Sequence, residues 1–456
     1  MSSFLAVVNY LMLGLIIIAV ELLRKRKAPY DALFFLNISY FIYFVLAPIH
    51  VLLGGADYMR YTPTYKSVGL GGIYESIWVV ASYILIIFGY FLTPKIKNYF
   101  RIEKMPHVSW MMIIFSLFVI GFFCFFVYAK AVGGFTGAIR EAVYIRMGVT
   151  EVTGNYVFVK HLIPVWQSMA LLLLALTWNS NHNAQFRLPN IFGLKTVFRF
   201  GIILFMFLPG LVLGGRRVLI FPVLLLFFLW GNIYKCLHIK TALCSVVGGL
   251  AFLAFWDAIS FGMRDFDLSC FIMGRYESLS FMYKGAFKPL ADPYMGWVGM
   301  YAHAPMGWGF KDLFLLPCYV IPNRLIPNVE VTSVIEITTE MLKGVDLDQT
   351  TGTPPGFHGY LYMSGGYLGL IVGSVFWGAV LKIISVLFFP RTQTPVGWLV
   401  YLWIVIGWVY LLRHGMMEFV LTERFHWWVA LVLICFWGIL FSGMQRQRSS
   451  RVRCVS

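Results

Sequence analysis

Apolar blocks about as long as a bilayer is thick recur along this chain, and they constrain its fold more than any other feature. They fall near residues 3–23, 31–53, 73–93, 108–128, 157–178, 199–213, 218–233, 241–260, 357–388, 396–412 and 425–443. A helix of roughly 20 apolar residues crosses a hydrocarbon core of about 30 Å while satisfying its own backbone polar groups. The expected fold is an all-α polytopic membrane protein of about eleven transmembrane helices. Composition agrees, with 60% of the 456 residues hydrophobic and only 12% charged, against about 25% charged in soluble domains. No basic region precedes the first block, and Arg24, Lys25, Arg26 and Lys27 follow it, so it reads as a retained helix and not a cleaved signal.

The connections between blocks alternate in charge. One set is almost purely basic: Arg24 to Lys27; Lys95, Lys97, Arg101 and Lys104; Arg187, Lys195 and Arg199; Lys235 and Lys240; Arg391; and the tail at 444–456. The other set mixes both signs, and its largest member is the polar interval 261–356, between an amino-terminal bundle (1–260) and a carboxy-terminal one (357–443). The positive-inside rule places the basic set in the cytoplasm, the end bearing residue 1 outside and the tail inside. Most of the +16 formal charge then faces anionic lipid headgroups, which argues against a nucleic-acid partner. Chemistry on nucleotide sugars or ATP would need a polar cytoplasmic domain, and the pattern offers none. Nor is there a Walker motif, a nucleophile elbow, an HExxH or a metal-type CxxC, so no cofactor or metal is implied. Asp257, Glu21 and Lys382 read as isolated charges near span ends.

The candidate residues lie on the external side. Arg216 and Arg217 sit between two apolar arms of roughly 15 residues, each rising about 22 Å, which would sink the tip below the outer surface. An arginine at bilayer depth costs about 3 kcal/mol, so a pair there asks for a reason. The alternative is that the helices extend past their apolar arms and both guanidinia snorkel to the interface. Arg264, Arg275, Arg324, Arg413 and Arg424 also flank apolar blocks, and guanidinium groups grip phosphate oxygens bidentately. Pairing with Asp265, Glu277, Glu418 and Glu423 is the competing account. The turn from Arg413 through His414 and Glu418 to Arg424 combines a carboxylate that can accept a proton with cations that can hold a leaving phosphate.

Pro354-Pro355 suits a helix start, which puts His358 in the first turn of the next span, with Tyr360 and Tyr362 nearby. Gly365, Gly369 and Gly373 recur at every fourth position, a pattern that lets a neighbouring helix approach closely. Residues 332–344 read as a short helix with Glu336 and Glu340 on one solvated face, and 268–285 as a helix lying along the membrane.

Four features together resemble the Wzy-type polymerases of O-antigen and oligosaccharide repeat units, which are bacterial inner-membrane glycosyltransferases of the GT-C type. They are the hydrophobic layout, Leu213-Gly-Gly-Arg-Arg217 at a hairpin tip, the large late external interval, and Thr353-Pro-Pro-Gly-Phe-His-Gly-Tyr360 running into a glycine-spaced helix. The Arg413-His-Gly415 turn before the last block also fits the family's pattern. The resemblance implies an undecaprenyl-diphosphate-linked oligosaccharide as substrate and no nucleotide sugar. It also implies partners of the same pathway, a chain-length regulator and a flippase. On this basis Arg216, Arg217 and Arg413 would grip the leaving diphosphate, and Glu418 or His358 would act as base. Arg264, Arg275, Arg324, His414, Arg424 and Tyr360 would contact glycan or phosphate. O-antigen ligases share the layout, and a non-enzymatic flippase is the third reading. Spacing alone does not separate these.

Overall fold

The computed structural model describes residues 2–24, 30–54, 70–94, 107–138, 159, 162–179, 194–213, 216–234, 279–303, 307, 309–311, 314, 334–343, 353–389, 394–415 and 426–437. Among these residues the chain is all-helical. The principal helices are α1 (Ser2–Leu23), α2 (Ala32–Phe41), a π-helical turn (Ile42–Leu46), α3 (Ala47–Gly54), α4 (Ile73–Leu92), α5 (His107–Ala131), α6 (Val165–Asn179), α7 (Leu194–Leu213), α8 (Arg216–Tyr234), α9 (Leu279–His303), α10 (Val334–Lys343), α11 (Gly356–Phe388) and α12 (Pro395–His414). A further apolar helix, α13, covers His426–Trp437.

Among the described residues, six helices are long and apolar enough to cross a membrane: Ser3–Leu23, Ala32–Gly54, Ile73–Leu92, Trp110–Ala131, Gly356–Phe388 and Pro395–His414. Shorter apolar helices at Val165–Thr177, Val197–Pro209, Phe221–Asn232 and His426–Trp437 fall on four more of the expected blocks. The block at 241–260 lies outside the described residues. The chain is thus a multi-pass helical membrane protein. Burial separates its centre from its rim. In α12, 83% of the apolar window is buried inside the protein, against 28% in α1 and in α5. Phe115, Phe118, Phe122 and Phe126 of α5 instead turn outward, as side chains solvated by lipid do.

Two glycines set the closest helix pair. A Cβ on Gly89 of α4 would come within 2.1 Å of Val375 O, and one on Gly378 of α11 within 2.0 Å of Ile86 O. Dispersion between backbones in such contact replaces the hydrophobic drive that lipid cannot supply. Gly369 and Gly373, expected to receive a neighbouring helix, serve a different contact. Their nearest atoms belong to Leu361 of α11 itself: the carbonyl oxygen 2.3 Å from a Cβ on Gly369, and Cδ2 2.5 Å from one on Gly373.

That contact arises because α11 is broken. A straight 33-residue helix would rise about 50 Å, far beyond the hydrocarbon core. At Gly365 (φ −150°, ψ 20°) and Gly366 (φ 58°, ψ −145°) the backbone leaves helical geometry, the latter in a region open only to glycine. Residues 356–364 therefore form a short first leg that folds against the second, 367–388, which alone rises about 33 Å. The break frees the carbonyls of Met363 and Ser364, and the N–H groups of Gly307 and Gly309 donate to them at 3.2 and 3.1 Å.

The π turn has an equally local cause. Pro48 carries no N–H and its ring crowds the preceding turn, and the Ala47 N–H reaches back five residues to Ile42 O. At the other end of the bundle, Arg24 spans the start of the α1–α2 connection. It donates to both oxygens of Glu21, at 2.7 and 2.9 Å, and to Asp31. Asn37 donates to Glu21 at 2.7 Å, and Tyr83 to Asn37 Oδ1 at 2.9 Å. Burial works against charge on Arg24, but the hydrogen bonds to Glu21 and Asp31 outweigh it and raise its pKa above the ordinary arginine value. Glu21 is accordingly not the isolated charge expected from the sequence, because its partners lie up to 16 residues away. Lys382 is not isolated either: its Nζ sits 4.5 Å from the centroid of the Tyr90 ring.

One further placement differs from the sequence reading, and another agrees with its alternative that the helices extend past their apolar arms. Leu279–His303 falls inside the interval expected to be an external polar segment, yet it forms a 25-residue helix buried from Ala291 to Met300 against α11. The arms around Arg216 and Arg217 are longer than their apolar cores, since α7 has 20 residues and α8 has 19. They rise about 30 and 28 Å. Arg199, one turn into α7, donates from Nη2 to Thr177 O at 3.0 Å and so caps the end of α6.

Candidate functional site

Three chain segments meet where the first leg of α11 begins. Gly356 has φ 69°, and a Cβ there would lie 2.5 Å from Pro293 O of α9. Gly415 closes α12 in a left-handed cap, its N–H donating to Leu411 O at 2.7 Å. A Cβ on Gly415 would lie 2.3 Å from Gly356 O and 2.7 Å from Tyr360 Cβ. A Cβ on Gly296 of α9 would in turn lie 2.3 Å from Pro354 O. Glycines thus let the end of α12, the start of α11 and the middle of α9 touch backbone to backbone.

The junction gathers four of the residues singled out from sequence. Arg413 and His414 occupy the last turn of α12, and His358 and Tyr360 the first two turns of α11. Cations in a final helical turn complement the negative end of the helix dipole. The Arg413 side chain is only 10% exposed, and its Nη2 stands 4.0 Å from Asp292 Oδ2 of α9, beyond hydrogen-bond range. Its Nε has no hydrogen-bond partner among the described residues. The His414 ring packs against Tyr410 at 4.6 Å, and Tyr360 against Phe310 at 5.8 Å. Phe310 holds φ at 58° without being glycine, a strained conformation of the sort that persists where surrounding structure enforces it.

His358 is enclosed completely, at 0% exposure. Rings of Phe44, Tyr40, Trp297 and Phe357 surround it at centroid distances of 4.4, 5.7, 5.8 and 5.4 Å. The Tyr40 hydroxyl donates its one proton to Val79 O at 2.9 Å and lies 2.7 Å from His358 Nε2. The hydroxyl must therefore accept from Nε2–H, which fixes the neutral tautomer with the lone pair on Nδ1. Nδ1 has no partner among the described residues. In this arrangement the imidazole orients the first leg of α11 against α2 and α4.

Arg216 and Arg217 open α8, with two residues between them and the end of α7, and Phe221 of the same helix packs on Tyr410 of α12 at 5.3 Å. Arg264, Arg275, Arg324, Glu418 and Arg424 lie outside the described residues. Within α10, Glu336 and Glu340 share an exposed face as expected. Its opposite side docks through Thr338, which donates to Thr353 O, and Thr339, which accepts from the Thr353 N–H at 2.9 Å. No cluster of His, Cys, Asp and Glu suited to a metal occurs among the described residues.

Sequence reasoning missed Asp292, Tyr40, Trp297 and the break in α11. Asp292 was hidden by its neighbours, since Lys284, Lys288 and Asp292 make α9 look like a solvated segment. Pro48 within an apolar block was the available signal for the π turn.

No protein-family model matches the chain, and no curated protein or solved structure matches it either.

Proposed function

We propose that the chain is a Wzy-type O-antigen polymerase of the bacterial inner membrane. In this reading it crosses the membrane eleven times, with residue 1 on the periplasmic side and the basic tail in the cytoplasm. The observation that carries the reading is the junction of the broken α11 with α12. A discontinuous helix in a membrane protein presents backbone polar groups at depth, where they serve ligands. Here its amino end abuts Gly415, two residues from the buried guanidinium of Arg413. Positive helix ends and guanidinium groups together favour a phosphate.

In the proposed reaction a hydroxyl at the non-reducing end of one carrier-linked repeat attacks the anomeric carbon of the chain on another carrier. The new glycosidic bond forms as the bond to the undecaprenyl diphosphate breaks. Glu418 takes the hydroxyl proton, and Arg413 with Arg216 and Arg217 stabilises the departing diphosphate. His358 holds the half-helix in place.

Deleting the gene and running the lipopolysaccharide on a gel tests this. The polymerase reading expects core bearing a single repeat with the ladder gone. Core with no repeat would overturn it in favour of the ligase if long lipid-linked chains accumulate, or the flippase if single units are trapped inside.

A further inference from the structure

Beyond the junction, one cluster of rings at the edge of the core takes no part in the proposed leaving-group site. Tyr301 of α9, Tyr362 and Tyr367 on the two sides of the α11 break, and Trp78 of α4 converge from three helices. Trp78 stacks on Tyr367 at 4.8 Å and 26°. Tyr362 lies 5.4 Å from both Tyr301 and Tyr367. Trp297, fully buried, floors the group at 5.2 Å from Tyr301 and 5.9 Å from Tyr362. The outermost ring, Tyr367, is 44% exposed.

Tyrosines of a membrane aromatic belt point their hydroxyls singly toward water. Here the hydroxyls meet. The Tyr301 and Tyr367 oxygens are 3.2 Å apart, with the Tyr362 ring 5.4 Å from each of their rings. Two phenols offer two protons and four lone pairs, and their one mutual bond leaves a donor and three lone pairs for something else. Glu75, whose carbonyl accepts from Trp297 Nε1 at 3.2 Å, is within electrostatic range of Tyr301. Its negative charge disfavours a phosphate at these rings. Immediately along α11 from Tyr367, Leu368, Ile371, Val372 and Phe376 form an exposed apolar strip.

From this we infer that Trp78, Tyr301, Tyr362 and Tyr367 form a platform for an uncharged saccharide ring carried at the membrane surface. Flat aromatic faces receive the C–H face of a pyranose, the phenol edge meets its hydroxyls, and the strip accommodates the apolar tail. The inference rests on the polymerase reading only for the origin of the glycan, and it stands on the ring geometry otherwise.

The test is saturation-transfer NMR on the full chain in lipid nanodiscs, with octyl β-glucoside below its micelle concentration and methyl β-glucoside as probes. Pyranose ring protons should receive saturation, and Tyr367→Ala should reduce it at least 5-fold. Tyr367→Phe, which keeps the ring, should reduce it about 2-fold. Phe88→Ala, an outward residue on α4, should leave it unchanged and shows that the variants' effect is local. Transfer no greater than from empty nanodiscs, or transfer that survives Tyr367→Ala in a chain of unchanged melting temperature, would overturn the platform. Transfer to the octyl chain alone would overturn it too, in favour of a lipid contact. An intact ladder after gene deletion would remove the polymerase reading without touching these signals, so the two ideas fail separately.

Discussion

Two buried arginines of this bundle are treated in opposite ways. Around Arg24, Glu21 and Asp31 take the guanidinium, and Asn37 and Tyr83 extend the network. Around Arg413, the Asp292 carboxylate oxygen stands off at 4.0 Å, and both Arg413 Nε and His358 Nδ1 lack partners among the described residues. A matched network secures the fold, whereas unmatched buried groups cost stability and persist where they serve something besides it. In the proposed reading the second arginine is the working one.

Substitutions can break that contrast. The largest effect on stability is expected from Glu21→Ala, which leaves Arg24 with Asp31 alone and Asn37 Nδ2 without its acceptor, and should cost about 3 kcal/mol, read as a lower melting temperature in detergent. Survival of the melting temperature would mean that water reaches the network. Next comes Gly366→Ala, which forces a side chain into backbone geometry reserved for glycine, at about 1 to 3 kcal/mol. It should also loosen the turn at 307–309, read as faster amide exchange there. Tyr40→Phe removes the acceptor for His358 Nε2–H and the second donor to Val79 O, which keeps its helical bond, at about 1 to 2 kcal/mol. Arg413→Gln should change stability least, by less than about 1 kcal/mol, while abolishing polymer in the cell. A large stability loss in that variant would show that the 4.0 Å contact with Asp292 holds the fold, and the contrast between the two arginines would collapse.

Much of the scaffold was legible because lipid imposes a simple rule. Bilayer-length apolar blocks located α1, α2 with α3, α4, α5, α11 and α12, and Pro354-Pro355 located the start of α11. Gly214-Gly215 marked where α7 ends and α8 begins, at Leu213 and Arg216. The break in α11 was not legible, because glycines spaced by four look alike whether they admit another helix or the same helix folding back. The helix α9 was hidden because its lysines and aspartate disguise a face that α11 buries. Of the site, His358, Tyr360, Arg413 and His414 could be named from motif and position. Their assembly depends on Gly356 and Gly415 touching, a contact between residues nearly sixty positions apart that no local pattern encodes.

The broken helix also bears on how the chain is threaded. A span counted from hydropathy alone treats Gly356–Phe388 as one passage, and so does the parity of every segment after it. Residues 356–364 fold against residues 367–388, so in the proposed threading they contribute no crossing of their own. A topology reporter fused before Gly356 and another inserted at Ser364 should therefore read the same compartment, while one placed after Phe388 reads the other.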